Sequence, residues 1–187
     1  MSVKLASIVL NWRTPDMTLD AVRAAVKAME PIEGGWHLYV VDNDSQDGSE
    51  DKLRAAIADE QARGTWGYEH VEVIQSGRNG GFGAGNNVGI RAALARTDRP
   101  EYVYILNSDA FPAPDAIAKL VAALDARPEL GIAGSYIHGV DGEPHVTAFR
   151  FPSIQSEIED GLGLGVVTRL LERWVVPIGI PDGTIEV

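Results

Sequence analysis

Apolar positions along the chain alternate between two periods as far as residue 137. Short apolar runs at 3–10, 37–41, 71–74 and 102–106 predict strands, whereas apolar spacings of three and four predict helices over 14–29, 49–62, 86–96 and 114–127. A fifth strand is predicted over 131–137 and a turn at 140–142. Strands that alternate with helices are typical of βαβ units, so we predict an α/β fold with a mostly parallel sheet flanked by helices.

The alternation stops near residue 149. We predict that 1–150 forms the core, and that 151–187 is a tail of the same domain, helical or irregular over 153–174. This tail mixes apolar residues with Arg169 and Arg173, which favours a helix that docks on the core over one that touches a membrane-borne acceptor.

Composition narrows the class of partner. The 187 residues are 45% hydrophobic and 23% charged, as in globular proteins, and their formal net charge of -11 opposes binding to nucleic acid or to anionic lipid. Cysteine is absent, which excludes thiolate metal sites and cysteine nucleophiles. No apolar run reaches the ~18 residues that a transmembrane helix needs. We expect a cytoplasmic protein, with peripheral association at the inner face of a membrane as a further expectation.

Polar residues follow each of the first four predicted strands. They are Asn11 after the first, and the segments 42–45, 76–79 and 107–109 after the others. Because ligands of open α/β sheets bind beyond the carboxyl ends of the strands, these clusters predict a binding site at one edge of the sheet.

The segment 42–49 reads Asp-Asn-Asp-Ser-Gln-Asp-Gly-Ser. Its short side chains can hydrogen-bond a base or a ribose, and its Asp-Gly pair favours a turn into a helix. A calcium loop beginning at Asp42 is excluded, because the positions that require Asp or Asn, Gly and Glu carry Gln46, Asp47 and Leu53. A helix cap and turn without a ligand is the alternative.

The segment 78–89 is rich in glycine, which lets backbone approach a ligand, and it begins with Arg78, which can meet phosphate. The dinucleotide-binding pattern fails because its sixth position, counted from Gly81, is Asn86. The P-loop pattern fails as well, since Asn86 follows Gly85 where Lys is required. A flexible loop without a ligand stays open.

The segment 104–109 is a strand that ends in Asn-Ser-Asp. Asp109 can hold Mg²⁺ or Mn²⁺ when a diphosphate completes the coordination shell; alternatively, it simply ends the strand. The histidines have no metal-ligand spacing, and we expect structural or surface roles for all of them: His37, His70, His138 and His145.

As a set, three motifs resemble family-2 glycosyltransferases of the GT-A fold. They are Val-Asp-Asn-x-Ser-x-Asp-Gly-Ser from 41, Arg-Asn-x-Gly-Phe-Gly-x-Gly-Asn-Asn-x-Gly from 78, and Leu-Asn-Ser-Asp from 106. Together with Phe-Arg-Phe-Pro at 149–152, the pattern is similar to the bacterial rhamnosyltransferase-like group. The resemblance extends over essentially all 187 residues.

The resemblance implies roles for single residues. It implies nucleotide binding by Asn11, Asp42, Asn43, Arg78 and Ser108, where Asn11 and the Asp42-Asn43 pair meet the base. It implies that the donor-sugar pocket is shaped by Gly81, Phe82, Gly83 and Asn86, and that Asp109 binds Mg²⁺ or Mn²⁺.

The implied reaction is metal-assisted transfer of a sugar, with inversion, from a nucleotide-diphospho-sugar to a glycan or lipid-linked acceptor, as in cell-wall or polysaccharide biosynthesis. The donor suggested by the resemblance is dTDP-rhamnose, with UDP- and GDP-sugars as alternatives. In the family, the catalytic base is an Asp that follows a Glu. We do not assign this role to Glu159-Asp160 in the tail, so we expect the base and the acceptor-binding part beyond Val187.

Other classes of protein compete with this interpretation. A non-catalytic nucleotide-sugar-binding fragment stays open. A sugar-1-phosphate nucleotidyltransferase would need a glycine-rich basic loop after the first strand, where the chain has Asn-Trp-Arg-Thr. An NAD-dependent enzyme is disfavoured by the failed glycine spacing.

Overall fold

A computed structural model describes residues 2–139, 141–143, 145–146, 149, 151–162, 165–170 and 175–176. Their contacts form two compact units, Met1–Ala133 and Gly134–Val187. The predicted division at residue 150 stays a prediction.

The first unit contains a four-stranded parallel sheet in the order β3-β2-β1-β4. Its strands are β1 (Val3–Asn11), β2 (Trp36–Asp42), β3 (Val71–Gln75) and β4 (Pro100–Asn107). The central strands β1 and β2 are the most deeply buried, as expected of a parallel sheet with both faces covered.

Helices cover the two faces unequally. On one face, a large apolar core joins the sheet to α1 (Pro15–Met29), α2 (Ser49–Ala62) and α4 (Ala116–Ala126). On the other face, α3 (Phe82–Ala95) packs through a smaller core against β1 and β2. A short 3₁₀ turn at Tyr68–His70 precedes β3. The predicted α/β class and its four strands are confirmed.

Helix α3 begins at Phe82, four residues before the predicted start at residue 86. Two glycines of the segment 78–89 lie against the sheet, because a Cβ on Gly85 would stand 2.5 Å from Leu10 Cδ1 and one on Gly89 2.7 Å from Ile8 Cγ2. Close packing of the helix on the strands therefore outweighs the low helix propensity of glycine.

The predicted fifth strand over 131–137 is wrong, since the segment has no regular structure. Ile132, Tyr136 and Ile137 stay exposed, and an apolar run cannot form a strand without a partner that takes up its backbone hydrogen bonds. In the predicted turn at 140–142, Gly142 N–H donates to Gly139 C=O over 3.0 Å, whereas Val140 lies outside the described residues.

Two helices follow in the second unit, α5 (Ile154–Leu162) and α6 (Gly165–Leu170). They fall within the tail over 153–174 that was predicted to be helical or irregular, of which residues 163–164 and 171–174 lie outside the description. In the part of the chain that the structure describes, no helix has the length and apolar character to cross a bilayer.

Candidate functional site

The polar clusters meet at the carboxyl edge of the sheet, as predicted. Strand pairing sets Asn11 beside Asp42, Asp42 beside Gln75, and Leu10 beside Asn107. The segments that follow all four strands therefore share one edge, which is where ligands of open α/β sheets bind.

Asp42 is the hub of this edge. Its carboxylate is buried and accepts four hydrogen bonds: Oδ1 from Asn11 Nδ2 (2.7 Å) and Ser45 Oγ (2.6 Å), and Oδ2 from Ser45 N–H (3.0 Å) and Gln75 Nε2 (3.1 Å). Burial alone would raise the pKa of Asp42, but the hydrogen bonds from Ser45, Asn11 and Gln75 hold that pKa below its ordinary value. Asp42 stays ionised, and its oxygens are fully engaged within the protein.

Asn11 is fully buried, and its side chain is committed to the same network. Its amide donates to Asp42 Oδ1 (2.7 Å) and Ser45 Oγ (3.2 Å), while its Oδ1 accepts from Thr18 Oγ1 (2.8 Å). The structure thus gives Asn11 the task of orienting Asp42. Direct contact of either side chain with a base stays a prediction.

Asn43 differs from its neighbour because half of its amide has no partner. Its Nδ2 donates to Asn79 Oδ1 over 3.0 Å, and Gly81 N–H donates to the same oxygen over 3.0 Å. Because the Gly81 N–H can only donate, the Asn79 atom that it meets must be the amide oxygen. The Asn43 atom that meets the same oxygen must then be its Nδ2, so the orientation of the Asn43 amide is determined as well. Asn43 is 3% exposed, and its Oδ1 lacks a partner among the described residues.

The first turn of α3 contributes a second buried acceptor. Asn86 is 4% exposed and donates Nδ2 to Phe82 C=O over 2.9 Å, which leaves its Oδ1 without a described partner. Between the two asparagines lies Gly85, where a Cβ would stand 3.0 Å from Asn43 Oδ1. Buried acceptors of this kind indicate a ligand or an ordered water.

The amino end of α3 also presents backbone donors. The helix begins after Gly81 (φ 82°), and no side chain caps its first turn. Its first three N–H groups, on Phe82, Gly83 and Ala84, have no acceptor within the helix, and such groups favour anions. Phe82 and Gly83 are exposed, as expected of residues that border a pocket.

Arg78 and Asp109 are exposed charged residues of this edge, and they follow β3 and β4 respectively. Neither side chain makes a hydrogen bond or ion pair within the described parts of the chain. Ser108 is half-buried between exposed Asn107 and Asp109. The described residues contain no group of three or more His, Asp or Glu that could hold a metal, so Asp109 could bind Mg²⁺ or Mn²⁺ only with further ligands from a diphosphate and water.

Trp12 and Arg13 are candidate site residues that the sequence did not predict. Trp12 is half-exposed directly after Asn11, and the Arg13 guanidinium carbon lies 5.2 Å from its ring centroid. Arg13 adopts φ 61° and donates its N–H and Nε to the Oγ and C=O of Ser45, over 3.0 and 3.1 Å. The only signal in the sequence was an aromatic residue at a strand end.

Gln75 was not predicted either. Its Oε1 accepts from the N–H groups of Asp44 and Gly77 (both 3.2 Å), while its Nε2 donates to Asp42 Oδ2 (3.1 Å) and Glu50 Oε2 (2.7 Å). The hydrogen bond from Gln75, aided by Arg54, lowers the pKa of Glu50. One amide thus ties the ends of β2 and β3 to α2.

Comparison with known proteins places this geometry in context. The family model described as glycosyl transferase family 2 matches residues 8–172. No curated protein sequence matches the chain.

Solved structures share the fold. S. aureus TarS 1–349 in complex with UDP-GlcNAc has a TM-score of 0.53 and 19% identity, over 67% of this chain and 32% of that one. The mannosyltransferase PcManGT from Pyrobaculum calidifontis, in complex with GDP-Man and Mn²⁺, has a TM-score of 0.52 and 21% identity, over 66% of this chain and 33% of that one. The matched region thus spans about a third of each solved protein.

Proposed function

The chain belongs to glycosyl transferase family 2, and from this premise we propose that it binds a nucleotide-diphospho-sugar at the carboxyl edge of its sheet and transfers the sugar, with inversion, to a glycan or lipid-linked hydroxyl. The family match and the structural likeness confirm the predicted GT-A fold. Among donors, dTDP-rhamnose is suggested by the resemblance to the rhamnosyltransferase-like group, and UDP- and GDP-sugars are bound by the structural relatives.

The observation that carries the proposal is the buried, unpaired oxygen of Asn43. A buried acceptor without a partner costs about 1–3 kcal/mol, which a ligand that donates a hydrogen bond can recover. Uracil, thymine and guanine each present a ring N–H, whereas the corresponding ring nitrogen of cytosine accepts and only its exocyclic amine donates. We assign Asn43 Oδ1 to the base N–H, with Asp42 and Asn11 as residues that position it.

Trp12 supplies a surface for the base. Its ring is half-exposed at the end of β1, beside the position of Asn43 at the end of β2. Base–aromatic stacking is worth about 1–3 kcal/mol and is indifferent to the base. Stacking on Trp12 would contribute affinity for any base, and the hydrogen bond to Asn43 would distinguish one base from another.

The diphosphate meets positive potential on the same edge. The Arg78 guanidinium and the backbone N–H groups of Phe82, Gly83 and Ala84 are free to bind phosphate oxygens. Mg²⁺ or Mn²⁺ on Asp109, when bound, neutralises charge on the departing diphosphate. Ser108 is assigned to the nucleotide, and Gly81 and Asn86 to the donor sugar.

Binding tests the proposal directly. Calorimetric titration of the chain with UDP, dTDP, GDP and CDP, each with and without Mn²⁺, should show binding of at least one nucleotide that has an imide or amide N–H, with CDP weaker. Arg78→Ala should weaken binding about tenfold or more, because a charge-assisted hydrogen bond is worth about 1.5–3 kcal/mol. Arg91→Ala is the matched control, since Arg91 is an exposed arginine of α3 beyond its first turns.

Failure of every nucleoside diphosphate to bind would overturn the donor site. Transfer is a separate question, because a protein that binds the donor without moving its sugar is the alternative function. Release of UDP, dTDP or GDP from the matching nucleotide sugar, measured with and without glycan acceptors, distinguishes the enzyme from the binding module.

A further inference from the structure

A second concave site lies on the opposite edge of the sheet from the donor site. It is a groove of about 440 Å³ between the last turns of α1, the end of α2 and the segment that leads to β3. This volume falls within the roughly 300–1,000 Å³ of small-molecule sites. The groove adjoins Trp36, the first residue of β2, so the full length of the sheet separates it from Asn43.

Trp66 forms one wall of the groove and is 52% exposed, yet it is held firmly. Its ring packs edge-on against buried Trp36, with centroids 6.0 Å apart. Next to it, Gly67 adopts φ 84°, and a Cβ there would stand 2.9 Å from Val26 Cγ1. The chain therefore presents a large apolar ring to solvent in a fixed position, which lowers the entropic cost of binding.

Hydrogen bonds fix the segment on the other side of Trp66. Thr65 donates its N–H to Glu60 C=O over 3.0 Å and its Oγ1 to Glu60 Oε2 over 2.6 Å. Tyr68 N–H donates to Thr65 C=O over 3.2 Å, and Gln61 Nε2 donates to Tyr68 C=O over 3.0 Å. The wall that carries Trp66 is thus built before any ligand arrives.

The charges around the groove cancel. Two cationic side chains, Arg23 and Lys27, face two acidic ones, Glu30 and Glu60, in a chain whose formal net charge is -11. Lys27 and Glu30 are exposed, and their side chains make no ion pair or hydrogen bond within the described residues. A phosphate or nucleotide would find no excess positive charge here, whereas a neutral ligand with many hydroxyls could use both donors and acceptors.

We propose that this groove binds a pyranose ring of a neutral glycan. The C–H face of the sugar lies on the indole of Trp66, and its hydroxyls meet Lys27 and Glu30. The site is distinct from the donor site and does not depend on it. A growing or acceptor polysaccharide held here stays attached to the protein while another part of it is free to move.

Protein-observed NMR can test this on the full chain. The chain has four tryptophans, so its indole N–H signals can be assigned by substitution. Titration with maltotriose, cellotriose, mannotriose and triacetylchitotriose should shift the Trp66 signal saturably for at least one probe, without a matching shift of Trp12. Titration with UDP should leave the Trp66 signal in place. No Trp66 shift with any of the four trisaccharides would overturn the proposal, whatever the outcome of the UDP titration.

Variants sharpen the assignment. Trp66→Ala should weaken binding of the responding trisaccharide about tenfold or more, while Trp66→Tyr retains part of it. Leu94→Ala, at an exposed apolar residue of α3 outside the groove, is the control and should leave trisaccharide affinity unchanged. Undiminished binding by a folded Trp66→Ala protein, verified by its thermal unfolding, would contradict the proposal. So would a responding probe whose shifts centre on Trp12.

Discussion

Asn43 donates its Nδ2 to Asn79 Oδ1 over 3.0 Å, an oxygen that also accepts from Gly81 N–H, and the Asn43 carbonyl oxygen is buried without a partner among the residues that the structure describes. This contact between two loops fixes the orientation of the Asn43 amide, whose oxygen lies 3.0 Å from where a Cβ on Gly85 would stand.

Replacement of Asn43 should change selectivity more than fold. Asn43→Ala removes the buried acceptor, and we expect UDP or GDP to bind about tenfold more weakly while CDP is little affected. Calorimetric titration with these nucleotides measures both affinities. Asn87→Ala, on an exposed neighbour in α3, is the control. An unchanged ratio of UDP to CDP affinity in Asn43→Ala would contradict the assignment.

Substitution of Asp42 should cost stability. Asp42→Asn places an amide among donors, and we expect a loss of about 2–4 kcal/mol in the free energy of unfolding near neutral pH. Urea denaturation measures the loss. The control is Asp51→Asn on the exposed surface of α2, which should stay within about 0.5 kcal/mol of the parent.

The same variant tests a pH dependence. The pKa of Asp42 is lower in the folded protein than its ordinary value of 3.8. Its contribution to stability is therefore fully present above that value and is lost as pH falls through the folded pKa. Between about pH 5 and pH 2, unfolding free energy should fall more steeply in the parent than in Asp42→Asn. Parallel curves would show that the pKa of Asp42 is not lowered in the folded protein.

Metal binding should require the nucleotide. Because the described residues contain no group of three or more His, Asp or Glu that could hold a metal, the protein alone should bind Mn²⁺ weakly, and UDP or GDP should strengthen that binding markedly by supplying phosphate oxygens. Electron paramagnetic resonance of free Mn²⁺ measures the bound fraction. Asp109→Asn should abolish the gain, whereas Asp59→Asn on α2 should not. Equal Mn²⁺ affinity with and without nucleotide would contradict the role of Asp109.

Two glycines of one helix turn should respond oppositely to alanine. In Gly85→Ala the new methyl would stand 2.5 Å from Leu10 Cδ1, and we expect destabilisation of about 1–3 kcal/mol and weaker nucleotide binding. Gly83→Ala meets nothing within 4 Å, so a stability gain of up to about 1 kcal/mol is expected from helix propensity. Chemical denaturation of both variants makes the comparison.

Much of the fold could be predicted from periodicity. The bounds of α2 agree with the prediction, and every strand of the sheet was expected within two residues at either end. The start of α3 was missed because the close fit of Gly85 on Leu10 is a tertiary contact that propensity does not contain. The segment 131–137 was misassigned because apolar letters do not reveal whether a pairing partner exists.

The sequence could predict where the candidate site lies but not which hydrogen bonds its residues make. Parallel strands bring their ends together, so the sequence could predict that Asn11, Asp42 and Asn43 share one edge of the sheet. The sequence could not show that Asp42 accepts four hydrogen bonds whereas Asn43 Oδ1 accepts none from the described residues. That difference depends on the exact positions of the neighbouring donors. Arg13 was missed for a related reason, since its φ of 61° is set by Ser45 and not by its own preference.

Adjacent positions at the end of β2 thus divide two tasks. Asp42 joins β1, β3 and its own loop, so selection for a folded protein acts on it whatever the donor is. Asn43 makes one described side-chain hydrogen bond, to Asn79. We therefore expect that libraries which randomise positions 43, 79 and 86 while keeping Asp42 will change nucleotide-sugar binding and retain the fold.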